Sequence, residues 1–154
     1  MKRGRFFLIL FFLPHLDTFN NDLEEGIASE RGLLILETLM RTLNDYFISG
    51  RVADISTAGS TFVAVPDGGR IIKIMTVLQG AISGGNAAIT FEIGGTAVTG
   101  AGITVTHSGS AVGTMDSSVP TALNRVEEDG SIEIITDGNS TGAKALDVTF
   151  VIRR

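Results

Sequence analysis

Hydrophobic and polar residues alternate along most of the chain from Ser56 to the C terminus. In the stretch "NAAITFEI", Ile89, Phe91 and Ile93 alternate with Thr90 and a glutamate. An alternation of period two predicts a β-strand with one face buried and the other face in water. The last stretch, "KALDVTFVIRR", repeats the pattern. One of its faces carries Leu146, Val148, Phe150 and Ile152, and the other carries Asp147, Thr149, Val151 and Arg153.

Turn signals separate these segments from further short strands in "STFVAV", "RIIKIMTVLQG", "ITVTHSGSAVGTM" and "GSIEIITDG". Pro66 to Gly69 predicts a turn, because proline fixes φ and glycine supplies positive φ. Ser108-Gly109 and Asp129-Gly130 mark two more turns. About seven or eight short strands, with turn signals about every 8–12 residues, indicate an all-β protein. We expect an antiparallel β-sandwich of jelly-roll type, which folds about eight strands into two packed sheets.

The first 55 residues have a different character, and we predict that residues 1–55 form an N-terminal extension and residues 56–154 the sandwich domain. The opening "MKRGRFFLILFFLPHL" has basic residues, then an apolar run over 6–13 that Pro14 ends. A basic start before an apolar run is typical of a secretory signal peptide, although no small-residue cleavage site follows promptly. The run is too short to span a bilayer, which takes about 20 apolar residues.

Helical spacing follows in the extension. Asp22 and Glu25 have the spacing of a capping box, and a looser helical segment begins there. Leu36, Leu39 and Leu43 recur at intervals of three and four, which predicts a helix over 33–47.

Three interpretations of the N-terminal residues stay open. Translation would start at Met40, so that residues 1–39 are an upstream extension; or the segment is a signal peptide; or it is a working arm of the protein. Mass determination of the natural N terminus would distinguish a start at Met1 from a start at Met40.

Composition excludes several classes of protein. The chain of 154 residues has a formal net charge of −5 and no cysteine. Disulfide frameworks, thiolate zinc sites, iron–sulfur clusters and cysteine nucleophiles are therefore excluded. The 12 Lys and Arg residues are scattered singly apart from the two ends, whereas a nucleic-acid interface needs a clustered basic face. We expect no cofactor, no direct nucleic-acid partner and no membrane span.

Candidate catalytic and metal-binding residues are few. His15 and His107 are the only histidines, and a Ser-His-Asp site would need His107, which no nucleophile-elbow motif accompanies. In "DGNSTG", Asp137, Asn139 and Thr141 alternate like oxygen ligands of calcium, but the distal carboxylate of an EF-hand loop is missing. A polar turn explains the stretch more simply, although Asn139 also begins a glycosylation sequon.

Two further motifs have structural explanations. The carboxylates of Glu127 to Asp129 follow one another directly, and neighbouring residues of an extended chain point in different directions. Gly94-Gly95 in "AAITFEIGGTAVTG" is followed by no lysine and by no helix, both of which a phosphate loop would need. We expect these glycines to form a hairpin corner, with Ala97 and Val98 beginning the returning strand. No residue is assigned to a catalytic, cofactor or metal site.

The strand region resembles a known family. The segments "DISTAGSTFVAVPDGGRIIKIMTVLQGAI", "AAITFEIGGTAVTG" and "ITVTHSGSAVGTMDSSVPTALNRVEEDGSIEIITDGNSTGAKALDVTFVI" are similar to the small head-decoration, or cement, proteins of tailed bacteriophages. The resemblance covers about two-thirds of the chain, from near Met40 to the end. It implies a sandwich subunit on the capsid outer surface that binds the major capsid protein, commonly as a homotrimer at symmetry axes. Such a subunit stiffens the shell against the pressure of the packaged DNA.

The N-terminal third has no counterpart in that family pattern. On this resemblance it would be an arm that reaches over neighbouring capsomers, with the apolar run 6–13 as an anchor. We therefore expect a non-catalytic virion protein. The alternative is a secreted adhesin or carbohydrate-binding module, which a true signal peptide would favour. One Tyr and no Trp leave few aromatic rings for sugars to stack on.

Overall fold

Strands make up the regular structure of this protein in the part described. A computed structural model describes residues 44–154, which lie within one compact unit, Leu43–Arg154. The strands in chain order are β1 (Asp45–Val52), β2 (Gly59–Ala64), β3 (Gly69–Leu78), β4 (Ala87–Ile93), β5 (Thr96–Ala97), β6 (Ile103–Val105), β7 (Met115–Ser118), β8 (Arg125–Val126), β9 (Ser131–Thr136) and β10 (Leu146–Arg153). Residues 44–154 include no helix that could cross a membrane.

The strands form two antiparallel sheets. In the first sheet the order is β1-β10-β3-β7, and β8 also pairs with β3. In the second sheet the order is β2-β9-β4-β5, and β6 also pairs with β4. The strands β1 to β4 alternate between the two sheets. Most neighbouring strands are therefore distant in sequence, so the sheets depend on non-local pairing.

The hydrophobic core lies between the two sheets. Phe91 of β4 and Phe150 of β10 meet there with ring centroids 5.5 Å apart and ring planes at 88°. This edge-to-face arrangement is the one that the charge distribution of aromatic rings favours. The other large, fully buried side chains come from both sheets and from the loops after β1 and β2: Ile55, Val65, Ile71, Ile74, Leu78, Ile89, Ile132, Ile134, Leu146 and Ile152.

The predicted all-β fold with two antiparallel sheets is confirmed for residues 44–154. The inward faces also match the alternation in the sequence. Ile89 and Phe91 are buried, Ile93 packs against the core, and the four residues on the inner face of β10 are fully buried.

Strand β1 differs from the sequence prediction. Its residues lie ahead of residue 56, where the sandwich was expected to begin, and residues 45–47 are strand although the predicted helix runs to 47. The alternation is hidden because Tyr46, Phe47 and Ile48 form a continuous apolar run, and Gly50 occupies a position on the inward side. The remainder of the predicted helix, the apolar run 6–13 and Met40 lie outside the described residues.

Gly94 and Gly95 form the corner between β4 and β5, as the sequence predicted. Their φ angles are +57° and +74°, and two successive positive φ angles are the requirement of a tight two-residue hairpin turn. The returning strand begins directly after them, where Ala97 pairs with Glu92. The glycines therefore turn the chain and do not open a helix.

The segment between β7 and β8 links the two sheets at one end of the fold. The amide of Thr99, just after β5, donates to the carbonyl of Ala122 at 3.0 Å, and the amide of Thr121 donates to the carbonyl of Thr99 at 2.8 Å. Asn124 is buried, and its Nδ2 donates to the carbonyl of Ile71 on β3 at 2.7 Å. Between these anchors Leu123 has a φ of +53° and is 60% exposed. This segment forms one wall of the candidate site.

Candidate binding site on the first sheet

The outer face of the first sheet carries a diagonal row of hydrophobic side chains, here called the apolar stripe. Its members are Phe47, Met75, Val77, Met115 and Val151. Phe47 pairs with Val151 across β1 and β10, and Val77 pairs with Met115 across β3 and β7. Met75 lies diagonal to Val151, because its own partner is Thr149, two residues earlier on β10. Phe47 is 65% exposed and Met115 66%, so the stripe presents apolar area to solvent at both ends.

Arginines from three strands meet at one end of this same face. Arg70 of β3 pairs in register with Arg153 of β10 and with Arg125 of β8. With the C-terminal Arg154 they form a group, here called the arginine cluster. A pocket of about 320 Å³ is lined by Gly68, Gly69, Arg70, Arg125, Arg153 and Arg154.

The arginine cluster is not evident from the sequence. Arg70 and Arg125 stand alone in the sequence, and the scattered basic residues argue only against the clustered basic face that a nucleic-acid interface needs. The register of β3, β8 and β10 brings them together. The only local signal was the pair at the C terminus, Arg153-Arg154, which directly follows a core strand pattern.

Three members of the arginine cluster already have carboxylate partners within the chain. Arg153 binds Asp45 through two hydrogen bonds, from Nε at 2.8 Å and from Nη2 at 2.9 Å. These bonds raise the pKa of the Arg153 guanidinium still further. Nε of Arg154 lies 2.6 Å from Oδ2 of Asp67, and Nε of Arg125 lies 3.7 Å from Oε1 of Glu127. The two bonds from Arg153 use the forked geometry with which a guanidinium group binds both oxygens of a carboxylate.

Tyr46 holds the C-terminal arginine in place. The Arg154 guanidinium lies 5.1 Å from the centroid of the Tyr46 ring, within the range of a cation–π contact. The Tyr46 hydroxyl donates to the carbonyl of Asp67, whose side chain binds the same arginine. Burial first, and then the charge of Asp67, raise the pKa of Tyr46 above its usual value, while Arg154 lowers it. The hydroxyl therefore stays protonated and remains a donor at neutral pH.

Arg70 lies at the centre of the arginine cluster. None of the ion pairs that join residues 44–154 includes it, and like-charged residues stand directly opposite it on both sides. Like charges in direct cross-strand pairs destabilise a sheet. Arg70 and Arg125 also line a second pocket, of about 480 Å³, together with Ile93, Thr96, Thr121, Ala122, Leu123 and Asn124. The two guanidinium groups therefore lie between two adjoining pockets.

The outer face of the second sheet has the opposite charge. Phe62 of β2, 63% exposed, pairs with Glu133 of β9, and Glu133 pairs with Glu92 of β4. Two carboxylates thus stand opposite each other beside one exposed ring. The two outer faces differ in charge as well as in apolar area.

The histidines do not form a catalytic arrangement in the described chain. His107 lies between β6 and β7, and its Nδ1 lies 2.9 Å from Oδ1 of Asn86. Its carbonyl accepts a hydrogen bond from the Ser110 hydroxyl at 2.9 Å. The ring therefore contacts an amide oxygen where a Ser-His-Asp site would have a carboxylate. His15 lies outside the described residues.

The stretch 137–142 lies between β9 and β10, and its side chains serve the turn itself. Asp137 accepts hydrogen bonds from the amide of Ala88 at 3.0 Å and from Nδ2 of Asn139 at 2.7 Å. Thr141 bonds to Ser83, 2.9 Å between the hydroxyl oxygens. In residues 44–154 no three His, Cys, Asp or Glu side chains are grouped to hold a metal ion.

Asp137 supports a prediction of pH-dependent stability. Burial acts to raise its pKa, but the hydrogen bonds from Asn139 and Ala88 outweigh burial, so the pKa lies below its usual value. A carboxylate with a lowered pKa stabilises the folded protein above about pH 4 and loses that effect as the pH falls further. Asp137→Ala is therefore expected to reduce the free energy of unfolding by about 1 kcal/mol at pH 7, and by less below about pH 4.

Urea unfolding from pH 7 down to about pH 2.5 measures this difference. Glu128→Gln is the control, since Glu128 is an exposed side chain in the turn before β9. A difference between wild type and Asp137→Ala that stays constant across the whole pH range would contradict the prediction.

The acidic stretch Glu127 to Asp129 forms the turn between β8 and β9. The amide of Gly130 donates to the carbonyl of Glu127 at 3.1 Å, and Asp129 has a φ of +58°. The Glu127 side chain is 84% exposed beside Arg125. These carboxylates lie in a solvated turn, and the nearest of them to the arginine cluster is only weakly paired with it.

No protein-family model matches this sequence, and a search of curated proteins found no match. The two outer sheet faces are therefore the surfaces that bear on function. Of these, the first sheet combines exposed apolar area with clustered arginines. It is the better candidate for a binding surface.

Proposed function

We propose that this protein is a capsid decoration, or cement, protein, which binds the outer surface of a tailed-bacteriophage head and stabilises the shell without catalysis. Its partner is the major capsid protein, and its place is the outside of the virion. The observation that carries the proposal is the apolar stripe. Large hydrophobic side chains held open to water on a sheet face are typical of a protein-binding surface.

The strand order supports a jelly-roll assignment, the fold expected from the family resemblance. The strands β5 and β6 both pair with β4, and β7 and β8 both pair with β3. If the short strands β5 and β6 are counted as one strand position, and β7 and β8 as another, the sheets have the orders β1-β10-β3-β7/β8 and β2-β9-β4-β5/β6. Eight positions in two sheets, with successive strands exchanging sheets, fit two interleaved Greek keys. This fold is common in viral capsid proteins.

A rigid subunit with a modest adhesive face suits a cement function. A standard interface needs only about 800 Å² from each partner. We propose that the protein acts as a homotrimer, because three linked copies that each contact a capsomer raise the overall avidity well above that of one contact. Burial of Phe47 and Met115 would supply part of the apolar contribution at each contact.

Binding to undecorated heads tests this proposal. Wild-type protein is expected to co-sediment with heads assembled from the major capsid protein. The double variant Phe47→Asp with Met115→Asp places charge at both ends of the apolar stripe, and we expect its affinity to fall at least about tenfold. Both residues are exposed, so the variant keeps its fold, which circular dichroism checks.

Phe62→Asp is the matched control, because Phe62 is equally exposed but lies on the other sheet. It is expected to bind as wild type does. Failure of the wild-type protein to co-sediment under any salt condition would refute the decoration function. Wild-type binding that Phe62→Asp abolishes, and that the stripe variant retains, would move the interface to the second sheet.

A further inference from the structure

We infer that the arginine cluster is a carboxylate-binding site that receives an extended, acidic segment of a protein partner. The glutamate or aspartate side chains of that segment bind Arg70 and Arg125 between the two pockets. This inference goes beyond the decoration function, since it concerns the chemistry of the bound group and holds for any acidic protein partner.

Positive charge is concentrated at one place in this acidic chain. The Lys and Arg residues of 44–154 are Arg51, Arg70, Lys73, Arg125, Lys144, Arg153 and Arg154. Four of them line one pocket, and Lys73, next to Val151 in register, lies on the same strand as Arg70. The full chain carries a net charge of −5, so this end of the first sheet stands out against the rest.

Arg70 forms no ion pair with a carboxylate of residues 44–154, whereas each neighbouring arginine does. Arg153 and Arg154 are held by Asp45 and Asp67, both at least partly withdrawn from water. Arg70 stands between Arg153 and Arg125 with no ion pair to any of residues 44–154. A bound carboxylate would offset the repulsion in this row and would use the fork geometry of the guanidinium group.

Arg125 is available to the same ligand. Its contact with Glu127 is long, at 3.7 Å, and the two side chains are 78% and 84% exposed. Exposed pairs of this kind contribute little to stability, so a ligand carboxylate can replace Glu127 at small cost. Arg70 and Arg125 are direct cross-strand neighbours, so side chains of one extended segment can reach both.

The shape of the site favours a peptide over a small anion. The two pockets, of about 320 and 480 Å³, adjoin at the arginines and continue past Leu123 and Ile93. Leu123 is exposed and held at positive φ, a conformation that a leucine adopts at some energetic cost. An acidic segment with a hydrophobic residue beside its carboxylates would bury Leu123. A nucleic acid fits less well, because the overall negative charge repels a polyanion.

Peptide binding to the purified full chain tests the inference without any capsid. The probe is a fluorescein-labelled peptide of consecutive glutamates with one leucine, titrated by fluorescence anisotropy at low ionic strength. A peptide with glutamine at each glutamate position is the comparison. We expect the wild-type protein to bind the glutamate peptide saturably, with an affinity that added salt lowers. The double variant Arg70→Gln with Arg125→Gln is expected to bind it about tenfold to hundredfold more weakly.

Arg51→Gln is the control for the loss of an arginine elsewhere, since Arg51 is exposed on the same sheet but pairs with Asp147 away from the cluster. Arg70→Lys keeps the charge and loses the fork, so its affinity should lie between those of wild type and the double variant. Thermal unfolding should show the double variant to be at least as stable as wild type, because it removes a like-charge pair.

Three results would overturn the inference. The first is equal binding of the glutamate and glutamine peptides, and the second is wild-type affinity in the double variant. The third is a competition result, in which inorganic phosphate or an oligonucleotide displaces the labelled peptide at a lower concentration than unlabelled glutamate peptide does. The last result would assign the cluster to phosphate. None of these results depends on whether the protein binds phage heads, so the two proposals fail separately.

Discussion

Replacing Phe150 by alanine is expected to lower the free energy of unfolding by about 3–5 kcal/mol. Phe150 is fully buried in the middle of β10, between Ile48 of β1 and Ile74 of β3 in register. Its ring meets Phe91 of the opposite sheet, so the substitution removes apolar burial and an inter-sheet aromatic contact together. Close-packed cores collapse only partly around such a gap, and the remaining cavity adds to the loss.

Urea denaturation followed by circular dichroism measures this loss. Phe150→Leu keeps most of the apolar volume and removes the ring contact, so its expected loss is smaller, about 1–2 kcal/mol. Phe62→Ala is the control for a phenylalanine outside the core, because Phe62 is 63% exposed, and its effect should stay within about 0.5 kcal/mol. Equal losses for Phe150→Ala and Phe62→Ala would show that the two sheets do not pack through Phe150.

Replacing Gly138 by alanine is expected to cost about 3–4 kcal/mol. Gly138 has a φ of +70°, which is strained for any residue with a Cβ. An added Cβ would also lie 2.4 Å from the amide nitrogen of Ala58 and 3.0 Å from the carbonyl carbon of Thr57. Both are backbone atoms, so a side-chain rotation cannot relieve the clash. The loop after β9 would have to separate from the loop after β1.

Gly142→Ala isolates the contribution of the clash. Gly142 lies in the same connection and has a φ of +84°, but an added Cβ would meet no atom within 4 Å. Its expected cost is the conformational strain alone, about 1 kcal/mol. Thermal unfolding measures the loss of stability in each variant, and the difference between the two losses is the contribution of the clash. A Gly138→Ala variant no less stable than Gly142→Ala would mean that the two loops do not approach as closely as described.

The loops around Gly138 connect the two sheets through hydrogen bonds at the end of the fold opposite the Gly94-Gly95 hairpin. The Thr136 hydroxyl donates to the carbonyl of Ile55 at 3.1 Å, and Ser140 reaches the same carbonyl at 3.4 Å. The segment after β1 is thereby fixed to the end of β9. A sandwich closed at both ends in this way would present its outer faces as rigid surfaces, which suits a protein that stiffens a shell.

The proposed interfaces lie on one sheet face and have different chemistry. The apolar stripe would supply non-directional burial, whereas the arginine cluster would orient a partner through charge and hydrogen bonds. On β3, Lys73 lies between Met75 of the apolar stripe and Arg70 of the arginine cluster, so the two surfaces adjoin and one partner could cover both. The two sets of variants separate their contributions, because the Asp substitutions leave the arginines unchanged and the Gln substitutions leave the stripe unchanged.

Local pattern was sufficient for the fold class of residues 44–154 and for most strands. Alternation identified the inner faces of β4 and β10, and paired glycines identified the corner after β4, because a strand's faces and a tight turn's φ angles depend on a few adjacent residues. The polar turn at 137–142 followed from its composition in the same way. Strand β1 was missed, because its outward Phe47 and inward Gly50 hide the alternation.

The candidate site could not be read from the sequence, because its members come from separate strands. Phe47, Met75 and Met115 become neighbours only when β10 lies between β1 and β3 and β7 closes the other side. Arg70, Arg125 and Arg153 meet only through the registers of β3, β8 and β10. Apart from β1 and β8, the sequence by itself determined which segments would be strands, most of the residues that they would bury and where the chain would turn. The tertiary structure alone decided which strands are neighbours, and therefore which outward side chains share a surface, because strand pairing depends on contacts far apart along the chain.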